Sequence, residues 1–236
     1  LPNQSTLVVS NDRLQFGAVR GGGRLRIEDG AALYSEGTLG LLAPGGAGIA
    51  ENIDLRASDL LLAMEDLNVG TDDALDQAAS AGILSDGWRL TQNVLDGLLG
   101  RADGGIENLS FQASNSINFF GPVSLDTYNA DTGESSSDLR FITPAIYGLA
   151  GDGEEAVIRT DRFIWSGLAT QTGQGSAAEL VPAEPGPVID GGAGSGDGGF
   201  RVEANDIVFG VGGAPVDAAA NLPLERLMLG FRDVAF

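Results

Sequence analysis

Apolar residues along this chain recur in short alternating runs, and one phrase built from them returns several times. It reads as an apolar residue, a skipped position, a small or short polar residue, two or three further residues, then alternating apolar positions, usually closed by Gly. The copies are Val9-Ser-Asn11-Asp-Arg-Leu14-Gln-Phe16-Gly17, Leu55-Arg-Ala57-Ser-Asp-Leu60-Leu-Leu62 and Phe111-Gln-Ala113-Ser-Asn-Ser-Ile117-Asn-Phe119. Two more are Ile158-Arg-Thr160-Asp-Arg-Phe163-Ile-Trp165 and Val202-Glu-Ala204-Asn-Asp-Ile207-Val-Phe209, with weaker relatives at Leu25-Arg-Ile27 and from Leu139 to Gly148. Two period-2 runs joined by a few polar residues predict strand, tight corner, strand. The corner dipeptides are Asn11-Asp12, Ser58-Asp59, Ser114-Asn115, Thr160-Asp161 and Asn205-Asp206. Such side chains bond to nearby backbone and hold a turn. None supplies the Asn-Gly or Asp-Gly of a tight hairpin, so the corners are expected to bend the chain without reversing it.

Val9 lies 18 residues before Ile27, and Phe141 lies 17 before Ile158. Coils of that length predict an all-β solenoid, a parallel β-helix whose turns stack about 4.8 Å apart with continuous apolar columns inside. On this reading Leu55, Phe111, Ile158 and Val202 point inward at equivalent positions of stacked coils. The aromatics Phe111, Phe119, Phe163, Trp165, Phe200 and Phe209 fall on inward phases as core. The competing architecture is an antiparallel sandwich or jelly roll of short strands. Longer intervals between phrases imply insertions, which leave at corners without interrupting the columns.

Two regions break the repeat. Asp72 to Gly82 and Thr91 to Gly100 each open on an N-cap candidate and close on Gly, and Val94, Leu95, Leu98 and Leu99 share one helical face. Two short helices are expected, lying over the wall or plugging an end. Thr170 to Gly199 includes Val181-Pro-Ala-Glu-Pro-Gly-Pro187 and Gly191-Gly-Ala-Gly-Ser-Gly-Asp-Gly-Gly199, and reads as a mobile loop without ladder or helix. Asp131 to Asp138 is a shorter loop of that kind. The organisation is therefore β-helix coils over 1–70, a helical insertion over 71–104, and further coils over 105–236 with a Gly/Pro-rich loop at 170–199.

Composition narrows the chemistry. The 236 residues carry 33 acids against 13 cations, all Arg, for a formal net charge of −20. A nucleic-acid partner is not expected, because phosphate neutralisation needs clustered Lys and Arg. With no Cys and no His there is no thiolate nucleophile, imidazole metal site or Ser-His-Asp triad. No apolar run approaches the roughly 20 residues of a membrane span. The chain opens on Leu1 with no signal-peptide features and is read as a segment of something longer, its export signal lying outside.

Paired carboxylates alone suffice for glycoside hydrolysis. Asp152 with Glu154 and Glu155, or Asp161 beside Asp206 on equivalent corners, are conceivable pairs, although 33 acids make chance pairs common. Gly191 to Gly199 is similar to the Gly-Gly-x-Gly-x-Asp calcium turn, but a single copy supplies too few ligands, so a flexible linker is expected. Gly21-Gly-Gly23 lacks the Gly-Lys-Ser/Thr of a phosphate loop, and Arg24-Leu-Arg-Ile27 reads as strand. No residue is nominated as catalytic, cofactor-binding or metal-ligating, and no cofactor is expected.

The stretch Gly105 to Leu125, the stretch Leu139 to Trp165, and Gly198-Gly-Phe200-Arg-Val-Glu-Ala-Asn-Asp-Ile207-Val-Phe-Gly210 with Leu227-Met-Leu-Gly-Phe231 resemble the C-terminal region of filamentous haemagglutinin-like exoproteins. The resemblance covers about residues 105 to 236 well and 1 to 70 loosely. The family's Asn-Pro-Asn-Gly-Ile type secretion motif is not found here. The resemblance implies a right-handed parallel β-helix, a secreted or cell-surface address on a Gram-negative bacterium, and a non-catalytic shaft or adhesive role. It also implies a receptor or glycan on host or bacterial cells as partner, and an outer-membrane two-partner transporter acting on a region outside this chain. A carbohydrate-active β-helix enzyme with paired carboxylates is the alternative.

Overall fold

A computed structural model describes residues 4–99, 106–172, 179–210 and 224–236, apart from 13, 15, 129–132, 134 and 136. The first strands are β1 (Thr6–Ser10), β2 (Leu25–Ile27), β3 (Ala32–Tyr34), β4 (Thr38–Leu42), β5 (Ala47–Ile49), β6 (Asp54–Arg56) and β7 (Asp59–Gly70). Helix α1 (Asp72–Ser80), strand β8 (Trp88–Thr91) and helix α2 (Gln92–Leu99) follow. Next come β9 (Asn108–Phe120), β10 (Val123–Asp126), β11 (Asp138–Ile142), β12 (Ala145–Leu149) and β13 (Glu155–Trp165). The chain ends with β14 (Ala169–Thr172), β15 (Glu179–Pro182), β16 (Gly198–Phe209), β17 (Leu227–Leu229) and β18 (Phe231–Ala235). With 52% strand and 8% helix the protein is all-β, organised around one large, mostly parallel sheet.

The order β4-β7-β9-β11-β13-β16 is parallel throughout and in register. Its inward positions stack as Leu41, Leu62, Phe111, Phe141, Trp165 and Phe209, and beside them as Leu39, Leu60, Leu109, Leu139, Phe163 and Ile207. Phe141 meets Phe163 edge-on at 5.2 Å and Phe111 at 6.0 Å, the geometry that ring quadrupoles favour. The long strands turn partway along and enter a second set of partners. The second half of β7 pairs with β8 and with the second half of β9, which pairs in turn with β12. The first half of β13 pairs with β10 and with the start of β16, which pairs with β18. A sandwich or jelly roll would alternate direction between neighbours. Among the described residues of the large sheet only β1 does so, against β4.

Leu55, Phe111, Ile158 and Val202 are all buried in the main core. Their expected equivalence holds for one pair only. Ile158 stacks on Val202, whereas Phe111 stacks on Leu62 and Phe141, and Leu55 on Leu33. The reason lies in the corners. Ser114-Asn115 bends β9 between one pair of walls, while Thr160-Asp161 and Asn205-Asp206 bend β13 and β16 between another, and Ser58-Asp59 separates β6 from β7. Different corners carry the same short polar residues, so a repeat aligned on them slips from one wall to the next. Three of the bends also run inside continuous strands: opposite Ser114-Asn115 the β7–β9 ladder shifts register between Met64 and Asp66. The first phrase is a further exception, because its Val9 lies on antiparallel β1 and is 59% exposed. Phe209 keeps the inward phase on Trp165 but is 50% exposed, since no described rung covers it.

Both expected helices form. Thr71 caps α1, its hydroxyl accepting from the Ala74 N–H, and the Thr91 hydroxyl does the same for Val94 at the start of α2. They do more than cover the wall. Leu75 and Ala78 of α1 pack outside the sheet against Phe120 and Tyr147, whereas Val94, Leu95 and Leu98 of α2 join the main core. Between them β8, which the sequence reading missed, pairs with β7 and buries Trp88, whose indole N–H donates to the Ala43 carbonyl at 2.7 Å. Beside β10, the Gln92 amide imitates a strand: its Nε2 donates to the Ser124 carbonyl at 2.7 Å and its Oε1 accepts from the Ser124 N–H at 3.0 Å. An edge otherwise open to pairing is closed by one side chain.

The Gly/Pro-rich region also departs from expectation. β14 and β15 form an antiparallel ladder, and the Gly191–Gly199 stretch is docked. Gly194 and Gly196 donate to the Gly148 carbonyl, Asp197 donates to Ala150, and Ala193 is buried. The backbone of β12 and the turn after it give this glycine run hydrogen bonds that a free linker would lack. Gly148 serves packing as well, because a Cβ there would stand 2.4 Å from the Phe231 ring. Half of the loop expected at 131–138, residues 131, 132, 134 and 136, lies outside the described residues.

Candidate functional site

The acids singled out by sequence do not converge on one cleft. Asp152 pairs with Arg232, which holds its carboxyl below the usual carboxylate range. Glu154 turns back to accept from the Gly151 N–H at 2.7 Å, and Glu155 pairs with Arg201 at 3.0 Å. On the neighbouring corners Asp161 accepts from Asn205 at 2.9 Å, while Asp206 pairs with Arg162 at 3.1 Å. Glu154 also borders a cleft of about 490 Å³ with Asp73 and Gln77, where the one aromatic lining residue, Phe120, is buried. Among the described residues no three acids are arranged to hold a metal ion.

A buried polar network lies under two covering segments on the outer face of the sheet. Gln112 is fully buried, donating to the Phe16 and Gly17 carbonyls and accepting from the Phe16 N–H, and Ser114 accepts from the Val19 N–H at 2.7 Å. Across the bend the Tyr147 hydroxyl donates to the Gly186 carbonyl at 2.8 Å. Beneath that second segment Asp66 accepts from Asn115 at 2.8 Å and Ser116 at 2.9 Å, and Asn118 donates to Asn68 at 3.0 Å. Burial pushes the Asp66 carboxyl above its ordinary range against those two hydrogen bonds, helped by the nearby charges of Glu65 and Asp86. Burial, with the Asp66 charge second, raises the Tyr147 phenol as well. The adjoining cavity, about 20 Å³, has room for one water.

A third feature is a groove of about 840 Å³ over β2 and β5 and the approach to β8. Arg24, Arg26 and Arg89 border it, together with Glu28, Asp86 and a glycine floor of Gly45, Gly46, Gly48 and Gly87. Gly48 lies opposite Arg26 in register, and open space stands where its side chain would be. Arg26 pairs with Glu28 and Arg89 with Asp76, whereas Arg24 has no acidic partner among the described residues. The Arg89 Nε is buried without a hydrogen-bond partner. Alternation in Arg24-Leu-Arg-Ile27 already puts both arginines on one face of a strand. Nothing local in the sequence signals that Arg89 or the glycines join them.

Comparison with protein-family models, with curated proteins and with solved structures finds no match to this chain.

Proposed function

We propose that this chain is a segment of a right-handed parallel β-helix serving as structural shaft or adhesive wall of a secreted bacterial surface protein of the filamentous haemagglutinin kind, without catalysis of its own. The observation that carries the reading is the apolar column from Leu41 to Phe209, which continues in register through six parallel strands. A stack of this kind holds a wall rigid, and binding residues concentrate on loops and clefts held by a rigid scaffold. The strongly negative surface fits export and display, since charge opposes self-association. Engagement of the acids in ion pairs and backbone caps supports a non-catalytic role, because catalysis needs groups preorganised at one site.

The test is retention of chain-coated beads on cultured animal and bacterial cells, together with incubation of the soluble chain with acidic and neutral polysaccharides. Saturable retention, competed by soluble chain, is expected, with no released reducing ends or unsaturated sugars. Turnover that disappears in Asp73→Asn or Glu154→Gln would replace this reading with a carbohydrate-active enzyme.

A further inference from the structure

We propose that the amino-terminal end of the stack is a docking surface for a second copy of this chain, through antiparallel pairing of β1 with its own counterpart. Among the described residues β1 pairs with β4 alone, so its other edge carries unpaired backbone donors and acceptors. Leu7 stands opposite Leu41 and Val9 opposite Leu39, which puts both on the inward phase of the two apolar columns. They are 50% and 59% exposed, because no described strand stacks on them. Both columns therefore reach this end uncovered.

The strand is its own complement. A two-fold contact requires that residue i meets residue j while j meets i. In Thr6-Leu-Val-Val-Ser10, antiparallel pairing centred on Val8 sets Leu7 against Val9 of the second copy, Val9 against Leu7, and Thr6 against Ser10. Each apolar column then runs across the joint, from Leu41 and Leu7 to Val9 and Leu39 of the second copy, and the large sheet continues through both molecules. Charge selects this end. Residues 1–11 carry no charge, and residues 1–58 hold five Arg against six acids, whereas the rest of the chain holds eight Arg against 27 acids. The acidity that keeps the walls of two copies apart is thus nearly balanced where β1 lies. The opposite end also exposes Phe209, Val234 and Phe236, but these lie among Glu203, Asp206 and Asp233 in the strongly acidic remainder of the chain. Protein edges are commonly guarded by charge, Pro or a bulge, and β1 has none of these along its length. One five-residue strand is a smaller contact than the standard interface of about 1,200–2,000 Å², so a weak dimer is expected, with Kd between about 1 μM and 1 mM.

The test is sedimentation equilibrium of the whole chain from about 1 μM to about 1 mM, at about 150 mM salt. The association should stop at two, because a two-fold contact closes on itself, and should tighten as added salt screens the acidic remainder. Val9→Lys and Leu7→Glu, both at exposed positions, should each weaken it at least about tenfold with an unchanged circular dichroism spectrum. An equimolar mixture of these two variants should restore a dimer, since the introduced carboxylate faces the introduced ammonium while Val9 faces Leu7 at the other pair. Phe209→Lys, at the far end, should leave association unchanged. A chain that is monomeric at every concentration would overturn the proposal. So would oligomers growing past two, the mark of head-to-tail stacking, or a dimer that survives both β1 variants or is lost in Phe209→Lys. Variants that stay monomeric when mixed would overturn the pairing centred on Val8.

Discussion

Phe141→Ala tests whether the stacked column holds this chain together. Phe141 is fully buried between Phe111 and Phe163, with Phe119 at 6.3 Å on the adjoining wall. Truncating a buried Phe costs about 3–5 kcal/mol, and each well-placed aromatic pair adds roughly 0.5–1.5 kcal/mol beyond area burial. Loss of two edge-on partners puts this variant at the upper end, about 5 kcal/mol. For a chain of this size each kcal/mol moves Tm by about 2–4 °C, so a fall of roughly 10–20 °C is expected. Phe209→Ala is the matched control. It occupies the same column on the last rung, is 50% exposed, and should cost only about 1 kcal/mol. Urea titration by circular dichroism and tryptophan fluorescence measures both. The two tryptophans report different places: Trp165 is stacked on Phe141, and Trp88 lies against β7 beside the helical insertion. Equal losses in the two variants, or a Phe141→Ala loss below 2 kcal/mol, would refute the column as the source of stability.

Gln92→Ala removes both hydrogen bonds that close the β10 edge and should cost about 1–2 kcal/mol by urea titration; Gln92→Glu, which accepts from Ser124 but cannot donate, should keep part of that. For Asp66 the native carboxyl holds its proton more tightly than the unfolded one, so above the ordinary value of 3.8 the folded state binds more protons and stability falls as pH rises through the window up to the raised native value. The stability difference between wild type and Asp66→Asn should therefore shift against wild type as pH increases through that window, and parallel profiles would contradict the assignment. Millimolar calcium should leave Tm unchanged within about 1 °C, because a ligand confined to the native state raises it; a rise of several degrees would restore the calcium turn at Gly191–Gly199.

How much of this was legible follows from the range of each interaction. Alternation within Phe111-Gln-Ala113 and Ile117-Asn-Phe119 is local, and it places those apolar residues inside. The absence of hairpin dipeptides at the corners pointed correctly to parallel stacking. Which residue stacks on which was not legible, because the bends at Ser114-Asn115 and Thr160-Asp161 look alike although they join different walls. The covering segments were also hidden. Gln112 and Asn118 fall out of phase with the apolar residues and Ser114 falls at a corner, and their partners are distant in the chain: Phe16 for Gln112, Val19 for Ser114, and Asn68 and Ser85 for Asn118. The glycine run at 191–199 misled for the same reason: its partners, the carbonyls of Gly148 and Ala150, belong to another strand and turn.

The arginine distribution keeps like charge from building up along the parallel strands. Parallel in-register stacking sets outward residues of the same phase about 4.8 Å apart, so a chain with 33 acids would build columns of like charge. Here arginines are interleaved. Arg159 lies in register between Asp126 and Glu203 and pairs with both, and Arg162 lies likewise between Asp138 and Asp206. Arg201 and Arg232 carry the scheme along the same end of the stack, to Glu155 and Asp152. With so few cations, each one used on these walls relieves repulsion between acids on adjacent rungs. Arg24 stands outside this scheme, immediately before β2 and without an acidic partner among the described residues.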